Sequence, residues 1–264
     1  MRIYLTIASA FVLACTPATA ANTPAAPAPP APAAAPVNAV ARWSIPSWNG
    51  TAAYKSLRSA RITSGAGGKA VDIPSAEGAI SVVRNEGAAG TSVAAQDQTG
   101  ARVSADIYGG TVRFSRSPGY TACDANQAAL RAALLDLSVS APATLRPGLA
   151  WTDSTEMETC LSDMPGSAVV RRRFEVIGDT AVAGERALTV ERLDSITASG
   201  TGFLDRHTTS LSAGGSAIAR VLISLESGSI LSVEKSARIN ISAVSPGRSD
   251  SFLELARTRL DFVR

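Results

Sequence analysis

The sequence predicts an α+β fold, mostly β: a large curved antiparallel sheet, a half-barrel-like meander, with one main helix at about 125–137. Three observations predict it. The last fifty residues alternate apolar and polar side chains through Ala217–Leu225, Ser229–Val244 and Ser249–Arg264, with tight turns between them. Short alternating runs separated by glycine-containing turns fill residues 54–117. A single stretch, Ala125–Leu137, has convincing helical spacing.

The C-terminal turns set the register. In the middle strand Leu231, Val233, Ala237, Ile239, Ile241 and Ala243 share one face, and Ser232, Glu234, Ser236, Arg238, Asn240 and Ser242 share the other. A hairpin at Ser245-Pro246-Gly247-Arg248 pairs Val244 with Ser249. It then sets Leu231 against Phe262, Val233 against Leu260, Ala237 against Ala256 and Ile241 against Phe252. A slip of one residue would turn the apolar row to water, so this register is strongly specified. At Glu226-Ser227-Gly228 the glycine suits the left-handed position of a type I turn with a G1 bulge. That choice pairs Ile223 with Leu231, Val221 with Val233 and Arg220 with Glu234.

From the N-terminus, Met1–Ala20 reads as an export signal: Arg2 is its one charge, and the apolar run Ile3–Ala14 is too short for a stable membrane anchor. Two processing readings stay open. Ala18-Thr19-Ala20 fits cleavage before Ala21, whereas Val12-Leu13-Ala14-Cys15 resembles a bacterial lipobox with Cys15 acylated. Residues 21–41 are an Ala/Pro-rich tether, with Pro24, Pro27, Pro29, Pro30, Pro32 and Pro36; such a composition cannot bury a core and favours extended conformations. Residues 42–264 are then a single antiparallel β-rich domain. Its first segment, Arg42–Asn49, carries Trp43 and Trp48 and is expected to pack on the domain body.

Expected strands follow at Tyr54–Ser64, Ala70–Ile73, Ala79–Asn85, Thr91–Asp97, Ala101–Ile107 and Thr111–Ser117. Gly65-Ala66-Gly67-Gly68 is a turn and not a phosphate loop, because no Ser or Thr follows Lys69 and no helical pattern follows it. Asp124 with Gln127 three residues on forms a capping-box start for the helix, and Leu130, Ala133, Leu134 and Leu137 line one of its faces. Beyond Pro142, strands are expected at Ala150–Thr159, Ala168–Ile177, Ala187–Leu193, Ile196–Leu204 and His207–Leu211, with a hairpin-like excursion at Asp179–Arg186 around Gly184. Either processing route removes Cys15 from the thiol pool and leaves Cys123 and Cys160, an even pair suited to a disulfide in an oxidising compartment. The bridge would close a loop of about 38 residues, contributing roughly 3–4 kcal/mol in the chain-entropy model.

Composition narrows the function classes. Of 264 residues, 45% are hydrophobic and 5% aromatic, and 25 basic against 22 acidic residues leave a net charge of +3. The longest basic run is Arg171-Arg172-Arg173, without the aromatic-interleaved stripe of a nucleic-acid binder, so that class is set aside. His207 is the only histidine and has Asp205 two residues away, but no G-x-S-x-G elbow accompanies it; an ordinary strand histidine is the commoner condition. Asp153, Glu156 and Glu158 have no calcium-loop spacing and read as a solvated strand face. No cofactor, metal or catalytic set is expected.

Three ionisable residues interrupt apolar rows: Arg172 beside Val170, Phe174 and Val176; Lys235 beside Val233 and Ala237; Glu254 beside Phe252 and Ala256. A charge facing a core must pair, reach water or serve a ligand. Snorkelling at a sheet rim is the common outcome. The sharper expectation puts Arg172 and Lys235 at the mouth of an apolar groove as candidate head-group contacts for an anionic lipid.

The run Leu145-Arg146-Pro147-Gly148-Leu149-Ala150-Trp151, the stretch Val176–Gly184 and the turn Glu226–Leu231 resemble secreted or lipidated bacterial β-rich envelope proteins, similar in plan to the LolA/LppX-type lipoprotein carriers. The resemblance spans about Trp48 to Arg264. It implies a curved sheet able to hold acyl chains and no catalytic residues. The expectation is therefore an exported, non-enzymatic envelope protein, periplasmic or membrane-anchored through Cys15, that binds a hydrophobic or amphipathic ligand on a curved sheet. The alternative is a structural or interaction lipoprotein whose sheet packs only its own helix and N-terminal strands.

Overall fold

A computed structural model describes residues 41–65, 68–87, 90–108, 110–115, 123–161, 164–204 and 207–263. The expected signal segment, Cys15 and all of the expected Ala/Pro tether but residue 41 lie outside the described residues. Among the described residues eleven antiparallel strands form one nearly closed, barrel-like sheet with a single helix, as the alternation predicts. In chain order these are β1 (Gly50–Ser64), β2 (Val71–Gly87), β3 (Gly90–Asp97), β4 (Arg102–Tyr108), β5 (Thr111–Phe114), α1 (Ala125–Asp136), β6 (Ala150–Leu161), β7 (Met164–Val182), β8 (Glu185–Leu204), β9 (His207–Ser224), β10 (Ile230–Ser245) and β11 (Arg248–Val263).

The spatial order β5-β4-β3-β2-β1-β11-β10-β9-β8-β7-β6 is two meanders joined where the first strand pairs with the last. α1 lies in the connection between β5 and β6, the two ends of the sheet. Asp124 caps it, accepting from the backbone N–H of Asn126 and Gln127 at 2.9 and 3.0 Å. The Cys123–Cys160 disulfide is present and ties the start of the helix to the end of β6.

The β10–β11 register is the expected one: Val244 faces Ser249, Ile241 faces Phe252, Ala237 faces Ala256 and Val233 faces Leu260. Ser245 itself pairs with Arg248, so the loop is Pro246-Gly247, with Gly247 at φ 75° as a type II turn requires. The β9–β10 register differs from expectation at one point. Val221 faces Val233 and Arg220 faces Glu234, but Ile223 pairs with Ile230, and an irregularity between Ile230 and Ser232 leaves Leu231 as an extra residue. Ile230 joins the contiguous core; Leu231 is buried apart from it.

Several expected breaks are absent. Ala70–Ile73 and Ala79–Asn85 belong to one strand, because a bulge opposite Arg58–Ala60 absorbs Pro74 and Ser75 without ending the pairing. Ala187–Leu193 and Ile196–Leu204 are likewise continuous in β8, with Asp194 and Ser195 paired on both sides. His207–Leu211 and Ala217–Leu225 merge in β9 across Gly214 and Gly215. There the backbone of β10 comes so close that a Cβ at Gly215 would meet the Arg238 carbonyl oxygen at 2.0 Å. Asp179–Arg186 forms the two arms of the β7–β8 hairpin, turning at Ala183 and Gly184, both at positive φ as in a type I′ turn.

Packed around α1, the inward rows supply Tyr54, Val82, Ala105, Val112, Phe174, Val190, Val221 and Leu260, all buried with Leu130, Leu134 and Leu135 of the helix. Trp43 closes one end through paired backbone hydrogen bonds with Leu145 (2.9 and 2.8 Å), and Arg84 lies over the Trp48 ring at 5.7 Å. The outward rows mix polar side chains with exposed Leu193, Ile218 and Leu255. Glu191, Arg220, Glu234 and Arg259 face one another in register across β8 to β11, the pattern of a wall in contact with water.

Gly228 closes the β9–β10 loop at φ 75°, and a Cβ there would lie 1.8 Å from the Pro46 carbonyl oxygen. Gly247 has the same φ with open space around it. Gly247→Ala should therefore lose only the left-handed penalty, about 1–2 kcal/mol. Gly228→Ala should lose more, because the Trp43–Trp48 segment must also move. Urea midpoints of the two variants, compared at equal m-value, check the difference.

Candidate functional site

The inward rows carry a cluster of enclosed charges. On β7 the period-two row reads Val170, Arg172, Phe174, Val176, and on β8 it reads Leu188, Val190, Arg192, Asp194, Ile196. Arg172, Arg192 and Asp194 are thereby turned into the barrel, where each is only 1–2% exposed. Bare charges at that depth are not tolerable, and each has found a partner.

Arg172 donates from Nε and Nη2 to the two carboxylate oxygens of Asp153 on β6, at 2.8 and 2.5 Å. Its Nη1 and Nη2 also donate to the backbone carbonyls of Leu135 (2.5 Å) and Ser138 (3.0 Å). The Leu135 carbonyl also accepts from the Ser138 N–H at 3.2 Å, so Arg172 adds a second donor at the helix end, where a cation complements the helix dipole. Arg192 donates to Asp194 from Nε (2.8 Å) and Nη2 (2.9 Å), and from Nη2 to Asp136, the last residue of α1, at 2.6 Å. Lys235 of β10 donates to the other Asp136 oxygen. One helix terminus is thus gripped from β7, β8 and β10 by three cations, two of which are held in turn by Asp153 and Asp194.

Burial alone would push the Asp136 carboxyl up, but Lys235 and Arg192 together outweigh it and hold it below the usual carboxylate range. Burial works against the Arg192 charge in the same way, and Asp136 and Asp194 more than restore it. All three carboxylates are ion-paired and none is positioned as a free acid or base. The arrangement anchors the helix.

This relocates several sequence-predicted residues. Arg172 is not at a groove mouth: it is enclosed, and its guanidinium is taken up by Asp153 and the helix terminus, which leaves it no face for a head group. Lys235 is half-buried and bonded to Asp136. Asp153, expected on a solvated face, is buried with Arg172, and Glu158 pairs with Arg131 of α1 at 2.9 Å, while Glu156 is exposed. Glu254 lies 3.7 Å from Arg58. His207 is exposed at the start of β9; Asp205 lies outside the described residues. Among the described residues no group of three or more His, Cys, Asp or Glu is placed to hold a metal ion. Sequence reasoning missed Asp194 because a break was placed between Leu193 and Ile196; Arg192, in line with Leu188 and Val190 inside the expected strand, carried the same signal as Arg172 and was passed over.

Space for a ligand lies elsewhere. Around α1 the interior is packed, with Leu134, Leu145, Phe174, Leu188, Val221 and Leu260 fully buried. Beyond the ion network the inward side chains Ile62, Ile239, Ile241 and Phe252 are half-buried, so that end of the trough meets solvent. Two recesses, of 620 and 480 Å³, are lined largely by outward rows of β9 to β11, including Arg238 with Leu255 and Ser212 with Ser242. A third, of 690 Å³, lies at the β7–β8 turn, lined by Val182, Ala183, Leu222, Leu231 and Phe262 with Lys55, Arg220 and Arg259.

No family model, no curated protein and no solved structure matches this chain.

Asp136→Asn should destabilise by roughly 3–5 kcal/mol, since it leaves Lys235 and Arg192 under-compensated in the interior. In the parent, the Asp136 carboxyl is depressed on folding. Its contribution is therefore present above the unfolded value of about 3.9 and is lost as pH falls below that through the folded value. Melting curves from pH 7 down to pH 2 should show a steep acid loss in the parent that is shallower in Asp136→Asn.

Proposed function

We propose that this chain is an exported, non-enzymatic module of the bacterial envelope, a rigid barrel that keeps its own helix inside and works through its outward surface. The supporting observation is the gripped helix terminus. A carrier needs its interior for cargo, and here Asp136, Arg172, Arg192 and Lys235 hold α1 in that volume. Export rests on the N-terminal signal pattern and agrees with the Cys123–Cys160 disulfide, which persists in oxidising compartments. The Ala/Pro run then spaces the barrel from a surface, with Cys15 as the lipid attachment point or Ala21 as the new N-terminus.

The second reading, an amphipathic ligand held on the inner face, is favoured by the half-buried aliphatic row Ile62, Ile239, Ile241 and Phe252 beyond the ion network. Native mass spectrometry of protein purified from envelope fractions separates the two. The expected spectrum is one polypeptide, with or without its own acyl anchor and with no lipid held in the interior; a stoichiometric lipid that substitutions on the outward surface fail to displace would give the carrier reading the advantage. With Cys15 as the attachment point, palmitate labelling should mark the chain and fail in Cys15→Ala; with cleavage before Ala21, neither form is labelled. Label retained in that variant would remove Cys15 as the anchor.

A further inference from the structure

The 690 Å³ recess at the β7–β8 turn has features of a built site and not of chance roughness. Two interruptions of regular pairing lie in strands that frame it. One, between Val176 and Gly178, is in β7 ahead of the hairpin, whose tip residues Val182 and Ala183 line the recess. The other, between Ile230 and Ser232, takes Leu231 out of the contiguous core and makes it part of the recess wall. The hairpin is held over the end of β9 by the Leu225 N–H donating to the Arg186 carbonyl at 2.9 Å and by the Ser224 hydroxyl donating to Glu185. The volume lies within the roughly 300–1,000 Å³ typical of small-ligand sites, and Leu222, Leu231 and Phe262 make the wall apolar.

Charge indicates what would fit. Of the rim residues, Arg259 pairs with both carboxylates, Asp261 at 2.7 Å and Glu234 at 3.5 Å, and Lys55 pairs with Glu77 at 3.2 Å. Arg220 stands in register between Glu191 and Glu234, yet among the described residues it makes an ion pair with neither, and its side chain lines the recess. An apolar wall beside a guanidinium with no ion-pair partner matches an apolar body carrying one negative charge.

We propose that this recess binds a monoanionic amphiphile, a single apolar chain or ring bearing a carboxylate or phosphate, with the body against Leu222, Leu231 and Phe262 and the head on Arg220. The proposal rests on the outward surface being the working face. It is tested on the full processed chain, stripped of lipid, by calorimetric titration below micellar concentrations with laurate, dodecyl phosphate and dodecylamine. One saturable site is expected for laurate or dodecyl phosphate, and the preferred head group tells a carboxylate from a phosphate ligand. Dodecylamine should not saturate. Arg220→Ala should weaken binding about tenfold, and Val182→Asp, at the hairpin tip, should weaken it further. Arg238→Ala, an outward arginine away from the recess, should change nothing. Equal binding of the amine, equal effects of the two arginine variants, or no saturable site overturns the proposal. Its failure is distinct from that of the functional reading, which fails if envelope-purified protein retains lipid that neither Arg220→Ala nor Val182→Asp displaces.

Discussion

A helix enclosed by a sheet needs something to satisfy its last carbonyls, and in this protein the rest of the structure depends on how that is done. Arg172 reaches from β7 to the carbonyls of Leu135 and Ser138, while Arg192 and Lys235 converge on the Asp136 side chain. Each of these charges would be prohibitive alone at such depth, and together they are mutually compensating. A hydrophobic helix could slide or rotate against an aliphatic wall with little change in energy. A helix whose terminus is fixed by charge-assisted hydrogen bonds from three strands has one position.

That position explains the division of the barrel. On the α1 side the inward rows are large and buried, with Phe174 stacked on Trp151 at 5.0 Å and Leu188, Val190 and Val221 closing around the helix. Beyond the ion network the rows turn small, through Ala217, Ala237 and Ala256, and then become half-exposed. The same strands build both halves because they are long: β8 alone runs for 20 residues. Bulges in β2, β7 and β10 let such long strands bend around the helix without losing their pairing.

The architecture was legible where the physics is local. Alternation around Val233 and Ile241, the Pro246-Gly247 turn and the Asp124 cap each depend on residues a few positions apart, and each appears as the sequence implies. Errors arose where a polar or glycine residue inside a strand looked like punctuation. Pro74, Asp194 and Gly214 all sit within continuous strands, because partners on both sides or a bulge take up the irregularity. For the candidate site, the sequence marked Arg172 and Lys235 as out of place in apolar rows but could not say what they meet. Their partners Asp153 and Asp136 are 19 and 99 residues away.

By itself, then, the sequence determined the strand periodicity, the helix and its cap, the pairing of the last two strands and the cysteine pair, since each follows from neighbouring side chains or from composition. Tertiary structure alone decided that β1 closes against β11, that Asp136 is the common acceptor for Arg192 and Lys235, and that Leu231 leaves the core to line a recess. Those outcomes depend on which distant charges meet in a space without water to compensate them, and on where a twisted sheet must bulge to enclose a helix, and neither is set by any run of adjacent residues.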